Sequence, residues 1–429
     1  MADVHLGAHR EPALRRLEAQ VFNEAMDRCV AGGVDFVLIS GDLFHVGIPD
    51  LEVVNGAVRK MREVQRAGVP IYAIYGSHDY NPSSTSIIDI IETAGLLTNV
   101  SKWRVGADGR IELEVLQDPS TGAKLCGISA RRMGLESKRY ELLDRRPLEE
   151  LEGFRVFAFH SGITEFKPKF LDETETVPVS YLPRGFDYYA GGHIHQRGEF
   201  SLPGYAKVVF PGPLFTGYGR DVEATARGEA RGFYEVEFDD AVRGVSFVPM
   251  ESFGGAYLEY DATGSSASEA AEEVRRRCDG LQVEGRVVAL RVRGELSGGR
   301  TSEVDLSSIR ADLMERGALF VYVNRHGLTS KEYAAAARAG GAEDPASIES
   351  RTFEQGIGAV ATGPERLRAT SGAQTARRLL QALRQGARGD EAKRAYTERM
   401  MRDGEAVLGL GEQGEEEEKG KKKEESGGP

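Results

Sequence analysis

The chain has 429 residues, and its 55 Lys and Arg residues against 67 Asp and Glu give a net charge of −12. This length exceeds what one hydrophobic core usually serves and predicts two or three domains. The acidic balance excludes a protein that holds nucleic acid with a generally basic surface, so any such contact has to be local.

Cysteine use and hydropathy predict a soluble, cytoplasmic protein. Cys29, Cys126 and Cys278 are far apart and form no C-x-x-C pair, which excludes a disulfide framework or a zinc ribbon. No stretch approaches the roughly 18 apolar residues of a membrane-spanning helix. The first residues lack the apolar segment of a secretory signal, so we expect no contact with a membrane.

The first part of the chain alternates helical and strand patterns. Apolar residues recur at helical spacing over residues 14–30, and the apolar run at 34–39 (VDFVLI) is typical of a buried strand. The same rhythm predicts a helix over 54–64, a strand over 69–75 and a helix over 87–94. A largely parallel sheet with helices outside follows. Later strands are predicted at residues 111–116, 124–129, 155–159, 188–195, 208–210, 233–238 and 245–248.

The pattern changes after residue 252. Strands predicted at 256–260, 286–293 and 318–323 alternate with helices at 266–279 and 305–316. This alternation predicts a separate, small α+β domain.

Two short amphipathic helices are predicted near the end of the chain, at residues 373–387 and 390–408. Such helices bury little apolar surface by themselves, so their apolar faces need a partner chain or the main domain. A charged, low-complexity tail follows from residue 411 and is expected to be disordered. The predicted domains are residues 1–251, 252–330, 331–372 (a linker), 373–410 and 411–429.

Histidine is concentrated in the first domain, where seven of the eight residues lie. Five blocks there place oxygen or imidazole ligands where a predicted strand runs into a loop. They are Asp3 and His5; Asp42 and His45; Ser77, His78 and Asp79; His160; and His193 and His195. Each block alone is commonplace, since Gly-Asp after a strand is commonly a turn.

The ordered series of blocks within one α/β domain predicts a site for two divalent metal ions. Such a pair needs one bridging anion, for which Asp42 is the candidate, and it suits an in-line displacement at a phosphoryl group. Oxygen and nitrogen donors without a thiolate allow Mn, Fe, Zn or Mg, and the donor types alone do not choose among them.

The blocks MADVHLG, GDLFH, GSHD, AFHSG and GGHIH resemble those of the calcineurin-like metallophosphoesterases over about residues 1–250. GDLFH, the segment PGPLFTGY at residues 211–218, the small domain and the helix pair are similar to the archaeal nucleases of DNA double-strand break repair. The resemblance implies an α/β sandwich of two sheets flanked by helices, with a small α+β capping domain and a C-terminal helical partner-binding segment. It implies three partners: DNA, a coiled-coil ABC-type ATPase bound through the C-terminal helices, and a second copy of the chain.

The resemblance also implies roles for the blocks, with manganese as the usual metal. One ion would be bound by Asp3, His5, Asp42 and His195. The other would be bound by Asp42, Ser77, His160 and His193. The resemblance further implies that His78, held by Asp79, stabilises the phosphate or protonates the leaving oxygen, and that His45 assists near the scissile phosphate. On its own chemistry, a neutral imidazole with a carboxylate behind it is an oriented proton donor or acceptor.

The sequence departs from the family pattern at two places. Ser77 stands where the family has Asn, and its hydroxyl is shorter and a poorer neutral ligand than an amide oxygen, so we expect weaker binding of the second ion. The family also has a strand of about five residues before the D-x-H block. Here Asp3 follows the initiator almost directly, so we expect the first strand to be cut short by a mis-assigned or trimmed start.

The leading interpretation is a manganese-dependent nuclease that acts on DNA ends as exonuclease or endonuclease. DNA is a polyanion, so this acidic chain needs local positive charge, for which three basic pairs are candidates. They are Arg131-Arg132, Lys138-Arg139 and Arg145-Arg146. Two alternatives stay open: a phosphatase or cyclic-nucleotide phosphodiesterase on the same metal centre, and a non-catalytic scaffold between DNA and ATPase. The retained His78 and Asp79 argue against a decayed site.

Overall fold

The computed structural model describes residues 1–80, 85–130, 137–167, 176–331, 353, 369–386 and 393–408. The chain divides into two compact units, Met1–Ser330 and Lys331–Pro429. The predicted linker lies largely outside the described residues, and the predicted tail lies wholly outside them. The predicted domain boundaries stay predictions.

The described residues of the first unit alternate helices and strands as the sequence predicts. The strands are β1 (Val37–Ser40), β2 (Ile71–Ile74), β3 (Thr98–Asn99), β4 (Trp103–Val105), β5 (Ile111–Leu113), β6 (Leu116–Gln117), β7 (Lys124–Ile128), β8 (Arg155–His160), β9 (Gly162–Ile163), β10 (Thr176–Val177), β11 (Tyr188–Gly192), β12 (Gly198–Leu202), β13 (Tyr205–Phe210), β14 (Gly232–Phe238), β15 (Val242–Pro249), β16 (Gly254–Asp261), β17 (Arg286–Leu296), β18 (Phe320–Asn324) and β19 (Leu328–Ser330). The helices are α1 (Pro12–Gly32), α2 (Leu51–Arg66), α3 (Ile87–Thr93), α4 (Ser137–Leu142), α5 (Arg146–Glu149), α6 (Gly219–Ala226), α7 (Ala267–Asp279) and α8 (Leu306–Glu315).

Two sheets form the centre of the first unit. The first has the parallel order β1-β2-β3, and the second has the order β12-β13-β11-β8-β7-β6 with four parallel strands in its middle. Helices pack on the outer face of the first sheet, since apolar residues of α1 and α2 share a core with β1. The parallel strands are buried on both faces, which explains their continuous apolar runs.

The two sheets face each other across a shared core. Tyr72 and Ile74 of β2 pack with Val156 of β8 and Tyr188 of β11. Burial of these side chains between the sheets stabilises the sandwich, because each removes apolar surface from water. The predicted α/β sandwich is confirmed.

The first residues of the chain run beside the end of β1. The Ser40 N–H donates to the Met1 carbonyl (2.9 Å), the Asp3 N–H to Gly41 (3.0 Å) and the His5 N–H to Asp42 (2.9 Å). These bonds bring the D-x-H block alongside the Gly-Asp turn that follows β1.

One predicted strand is too long. The strand expected over residues 188–195 ends at Gly192, because His193 takes a φ of 85°. A side chain in this left-handed region cannot continue a pleated strand. At the break, the His193 N–H leaves the sheet ladder and donates to the Asp3 carboxylate.

The small sheet of the first unit has its own core. It has the parallel order β16-β17-β18, with β19 pairing with the far end of β17. Apolar residues of α7 and α8 pack on one face of this sheet. Helix α7 begins with a capping box between Ser266 and Glu269, which satisfies the free N–H groups of its first turn. The predicted α+β pattern is confirmed here.

The described residues of the second unit include two helices, α9 (Ala369–Leu383) and α10 (Lys393–Leu408), which contact each other. Both predicted helices are confirmed, with shifted ends. Leu383 and Met401 stay exposed, by 53% and 60% of their surface. Within the described parts of both units, we find no helix that is long and apolar enough to cross a membrane.

Candidate metal centre

The ends of four parallel strands meet at one edge of the sandwich. The carboxyl ends of β1, β2, β8 and β11 lead into the blocks predicted from the sequence, and residues 1–6 lie beside them. Ligand groups collect at such an edge because parallel strands all end on the same side. The structure brings all ten predicted site residues together there.

Asp42 lies between two imidazoles. Its Oδ2 is 3.1 Å from His160 Nε2 and 3.7 Å from His5 Nε2, and all three side chains are buried. The His160 Nδ1–H donates to the Ser40 carbonyl (2.7 Å), which turns Nε2 toward the carboxylate. Burial opposes a charge on His160, but the facing Asp42 carboxylate outweighs it and raises the pKa of His160 to about 10. The bridging position predicted for Asp42 is therefore geometrically available.

Asp3 belongs to two groups of ligand atoms. It clusters with Asp42 and His160 in one and with His5 and His195 in the other. Asp3 Oδ1 is 3.8 Å from His160 Nε2 and 3.7 Å from His195 Nε2. The two buried carboxylates thus lie between the imidazoles of both groups.

The donor set fits divalent cations. His5 Nε2 and His195 Nε2 are only 3.1 Å apart, and burial lowers the pKa of His5 well below its usual range, so His5 is neutral. Burial likewise raises the pKa of Asp3. Carboxylate and imidazole ligand atoms packed this closely are costly to bury. A divalent ion with a preference for oxygen and nitrogen satisfies them, as Mn, Fe, Zn or Mg does.

Backbone strain is concentrated at the same residues. Among the described non-glycine residues, positive φ occurs at Asp3 (50°), His5 (51°), Asp42 (53°) and His193 (85°). All four are predicted metal ligands. Each such conformation costs on the order of 1–3 kcal/mol and persists only where the surrounding contacts enforce it. Backbone bonds between residues 1–6 and the end of β1 with its turn enforce the first three, and the bond from the His193 N–H to the Asp3 carboxylate holds the fourth.

His78 lies at the rim of the site. Its backbone N–H donates to Asp42 Oδ1 (2.8 Å), and its ring Nδ1 lies 2.6 Å from the His45 carbonyl oxygen. A carbonyl accepts only, so Nδ1 carries the proton and Nε2 faces the cavity. The His45 ring stacks on His78, with centroids 4.8 Å apart.

The expected pairing of Asp79 with the His78 ring is wrong. The Asp79 carboxylate is buried and accepts from the backbone N–H groups of Leu43 (3.2 Å), Phe44 (2.9 Å) and Gly76 (2.9 Å). Those loop N–H groups need an acceptor once they are buried, so the carboxylate serves the backbone. Asp79 therefore holds the Gly-Asp turn and the GSHD turn together, while the His45 carbonyl orients His78.

Ser77 and His193 border the site. Both line a cavity of about 570 Å³ together with Asp42, His78 and His195. The His193 N–H donates to both oxygens of Asp3 (3.0 and 3.1 Å), and its ring lies beside His160 with centroids 5.4 Å apart. His193 is outside the two groups that contain Asp3. Both residues line the cavity beside the predicted ligands, and their binding role stays a prediction.

Three residues near the site were not predicted. The Tyr218 hydroxyl lies 2.8 Å from His78 Nε2, and the Asp221 carboxylate lies 2.9 Å from His195 Nδ1. The buried Arg231 contacts the backbone of the same loops. The only sequence signal near them was the segment PGPLFTGY, which ends at Tyr218. It carries no residue type or spacing that marks a site.

Residues 1–197 match the calcineurin-like phosphoesterase family. Together with the sandwich and the two ligand groups, this match makes this part of the chain a calcineurin-like metallophosphoesterase domain. The predicted enzyme class, a metal-dependent phosphodiester hydrolase, is confirmed, and the two ligand groups are candidates for the divalent-metal site of this family.

The chain is also similar to several curated archaeal proteins, each named DNA double-strand break repair protein Mre11. The Methanopyrus kandleri protein is 28% identical over 330 residues, which cover 72% of this chain and 67% of that protein. The Archaeoglobus fulgidus protein is 26% identical over 313 residues, covering 64% and 69%. The Haloferax volcanii protein is 28% identical over 327 residues, covering 75% and 66%. The resemblance to the archaeal repair proteins is confirmed.

Substitution of Gly76 by alanine tests the packing of the centre. A Cβ on Gly76 would overlap the Asp42 carboxylate, so Gly76→Ala should lower the free energy of unfolding by about 1–3 kcal/mol. Gly56 on α2 has nothing within 4 Å of its Cβ position, so Gly56→Ala should raise it by about 0.8–1 kcal/mol. Urea unfolding of the metal-free proteins measures both. Equal midpoints for the two variants would contradict the packing.

Proposed function

We propose that the chain is a manganese-dependent nuclease that cleaves phosphodiester bonds at DNA ends during double-strand break repair. The observation that carries the proposal is the convergence of two ligand groups on Asp3, with His78 and an open cavity of about 570 Å³ beside them. The names of the relatives support DNA as the substrate class. The oxygen and nitrogen donors suit manganese.

The ligand assignment is the one that the family resemblance implies, and it is supported by the clustering of Asp3, His5 and His195 and of Asp42 with His160. Asp3, His5, Asp42 and His195 would hold one ion. Asp42, Ser77, His160 and His193 would hold the other. Two bound divalent ions would neutralise charge on the phosphodiester and activate the attacking water.

His78 and His45 supply the proton chemistry in this proposal. His78 keeps a proton on Nδ1 through the His45 carbonyl, so its Nε2 can donate to the leaving oxygen when the ring is an imidazolium. Burial of the ring is the main cause that lowers the pKa of His45 to about 4, and the neighbouring His78 adds to it. His45 is therefore neutral at physiological pH and can assist as a hydrogen-bonding group without competing for the proton.

DNA binding needs local positive charge. The basic residues predicted to supply it differ in exposure and in the contacts that they already make. Lys138 and Arg146 are exposed. The Arg139 guanidinium lies over the Trp103 ring at 4.7 Å, and Arg145 donates to two backbone carbonyls at 3.4 Å. Arg131-Arg132 lies outside the described residues. We propose Lys138, Arg139 and Arg146 as phosphate contacts, with Trp103 as a flat apolar neighbour.

One assay tests the activity and its alternatives. Wild type should degrade single- and double-stranded DNA with manganese, and His78→Ala should lower the rate about 100- to 10,000-fold because the proton donor is lost. His326→Ala, at an exposed histidine of the small domain, is the matched control and should retain full rate. Cleavage of a small phosphomonoester or cyclic nucleotide but not DNA would favour the alternative hydrolases. No hydrolysis of any of them would favour a scaffold.

Ser77 gives a prediction about the second ion. Ser77→Asn restores a stronger neutral ligand. The manganese concentration for half-maximal cleavage should therefore fall by about 10-fold or more. Ser77→Ala should need more. A manganese titration of the DNA cleavage rate measures both, and superimposable curves for the three proteins would refute a binding role for Ser77.

We propose that the C-terminal helices bind a coiled-coil ABC-type ATPase. The exposed Leu383 of α9 and Met401 of α10 support this proposal, because helices this short gain stability when their apolar residues are covered.

A homodimer is proposed on the resemblance alone, and sedimentation of the purified chain would test it.

Deletion of residues 373–410 should abolish co-purification with such an ATPase and leave manganese-dependent cleavage intact, because the metal ligands all lie in the first unit. The double substitution Leu383→Asp and Met401→Asp should weaken binding without removing the helices. Glu405→Ala, at an exposed position of α10, serves as the control. Binding retained after the deletion would rule out this docking segment.

A further inference from the structure

Helix α6 carries a buried carboxylate close to the metal ligands. Asp221 is 3% exposed, and its Oδ2 atom accepts three hydrogen bonds. The donors are the backbone N–H groups of Gly217 and Tyr218 and Nδ1 of His195, each at 2.9 Å. Three donors on one oxygen of a buried carboxylate hold that oxygen in a single position.

The contact with His195 determines which ring nitrogen faces the ligands. Because a carboxylate accepts only, His195 Nδ1 carries the proton, and the lone pair of a neutral ring is then on Nε2. This Nε2 lies 3.7 Å from Asp3 Oδ1 and 3.1 Å from His5 Nε2. The opposite tautomer would place an N–H there and could not bind an ion.

Arg231 holds the same arrangement from behind. This buried guanidinium donates to the backbone carbonyl of Asp221 (3.1 Å) and to that of His195 (3.4 Å), and its Nε donates to the Thr225 hydroxyl (2.9 Å). One side chain therefore connects α6 to the loop of His195. Arg231 thus holds the backbones of both Asp221 and His195, which keeps their side chains in contact.

We propose that Asp221 is a positioning residue of the metal centre, which keeps His195 in the tautomer that binds the ion shared with Asp3 and His5. The inference rests on the metal centre and on no particular substrate. Outer partners of a ligating histidine fix its tautomer and orientation, and their loss typically costs 10- to 100-fold in metal affinity. Asp221 lies outside the family match, which ends at residue 197.

Manganese binding to the purified full chain tests the proposal. It is measured from the electron paramagnetic resonance signal of the free ion. Asp221→Ala should weaken binding of one ion by roughly 10- to 100-fold and leave the other within a few-fold. Asp221→Asn, whose amide oxygen can still accept from Nδ1, should lose less. Glu223→Gln is the matched control, because Glu223 lies on the same helix but contacts Arg291 and Asn324 of the small sheet. It should bind both ions as wild type does.

Nuclear magnetic resonance of the metal-free protein, with labelled histidine at alkaline pH, gives a second readout. It reports which ring nitrogen of His195 carries the proton. His195 should show its proton on Nδ1 in the wild type and on Nε2 in a substantial fraction of Asp221→Ala. The proposal is overturned if wild-type His195 carries its proton on Nε2, or if Asp221→Ala and Glu223→Gln bind manganese alike. A wild-type protein that binds both ions but does not cleave DNA would instead count against the nuclease proposal.

Discussion

The structure depends on one costly arrangement, two buried carboxylates packed among imidazoles. Asp42 reaches both His5 and His160, and Asp3 reaches both His160 and His195. Burial penalises every charge in this cluster, and within the two ligand groups only imidazole nitrogens face the carboxylates. Divalent cations offset that penalty, so the fold and the metal are energetically linked. Metal binding should stabilise the native state as well as enable hydrolysis.

The surrounding fold serves the same arrangement. Four of the predicted ligands keep left-handed backbones, and the bonds from residues 1–6 to the turn after β1 hold three of them. Asp79 contributes by binding the N–H groups of two turns, although it does not touch the His78 ring.

Helix α6 connects this site to the small sheet. Its residue Asp221 reaches His195, and Glu223, two positions further on, reaches Arg291 of β17 and Asn324 of β18. The two carboxylates point to opposite neighbours because residues two apart in a helix lie on different faces. The small domain and a metal ligand are therefore attached to the same short, rigid element.

The sequence by itself determined the alternation of helices and strands and the ten residues of the site. Both are local signals, since periodicity marks each element and polar residues mark each strand end. Only the tertiary structure decided the partners of those residues. His78 is oriented by a carbonyl 33 residues earlier, and His195 by a carboxylate 26 residues later. The reason is physical: hydrogen-bond partners depend on how distant segments pack, and neither a backbone carbonyl nor a lone Asp in a helix has a pattern of its own.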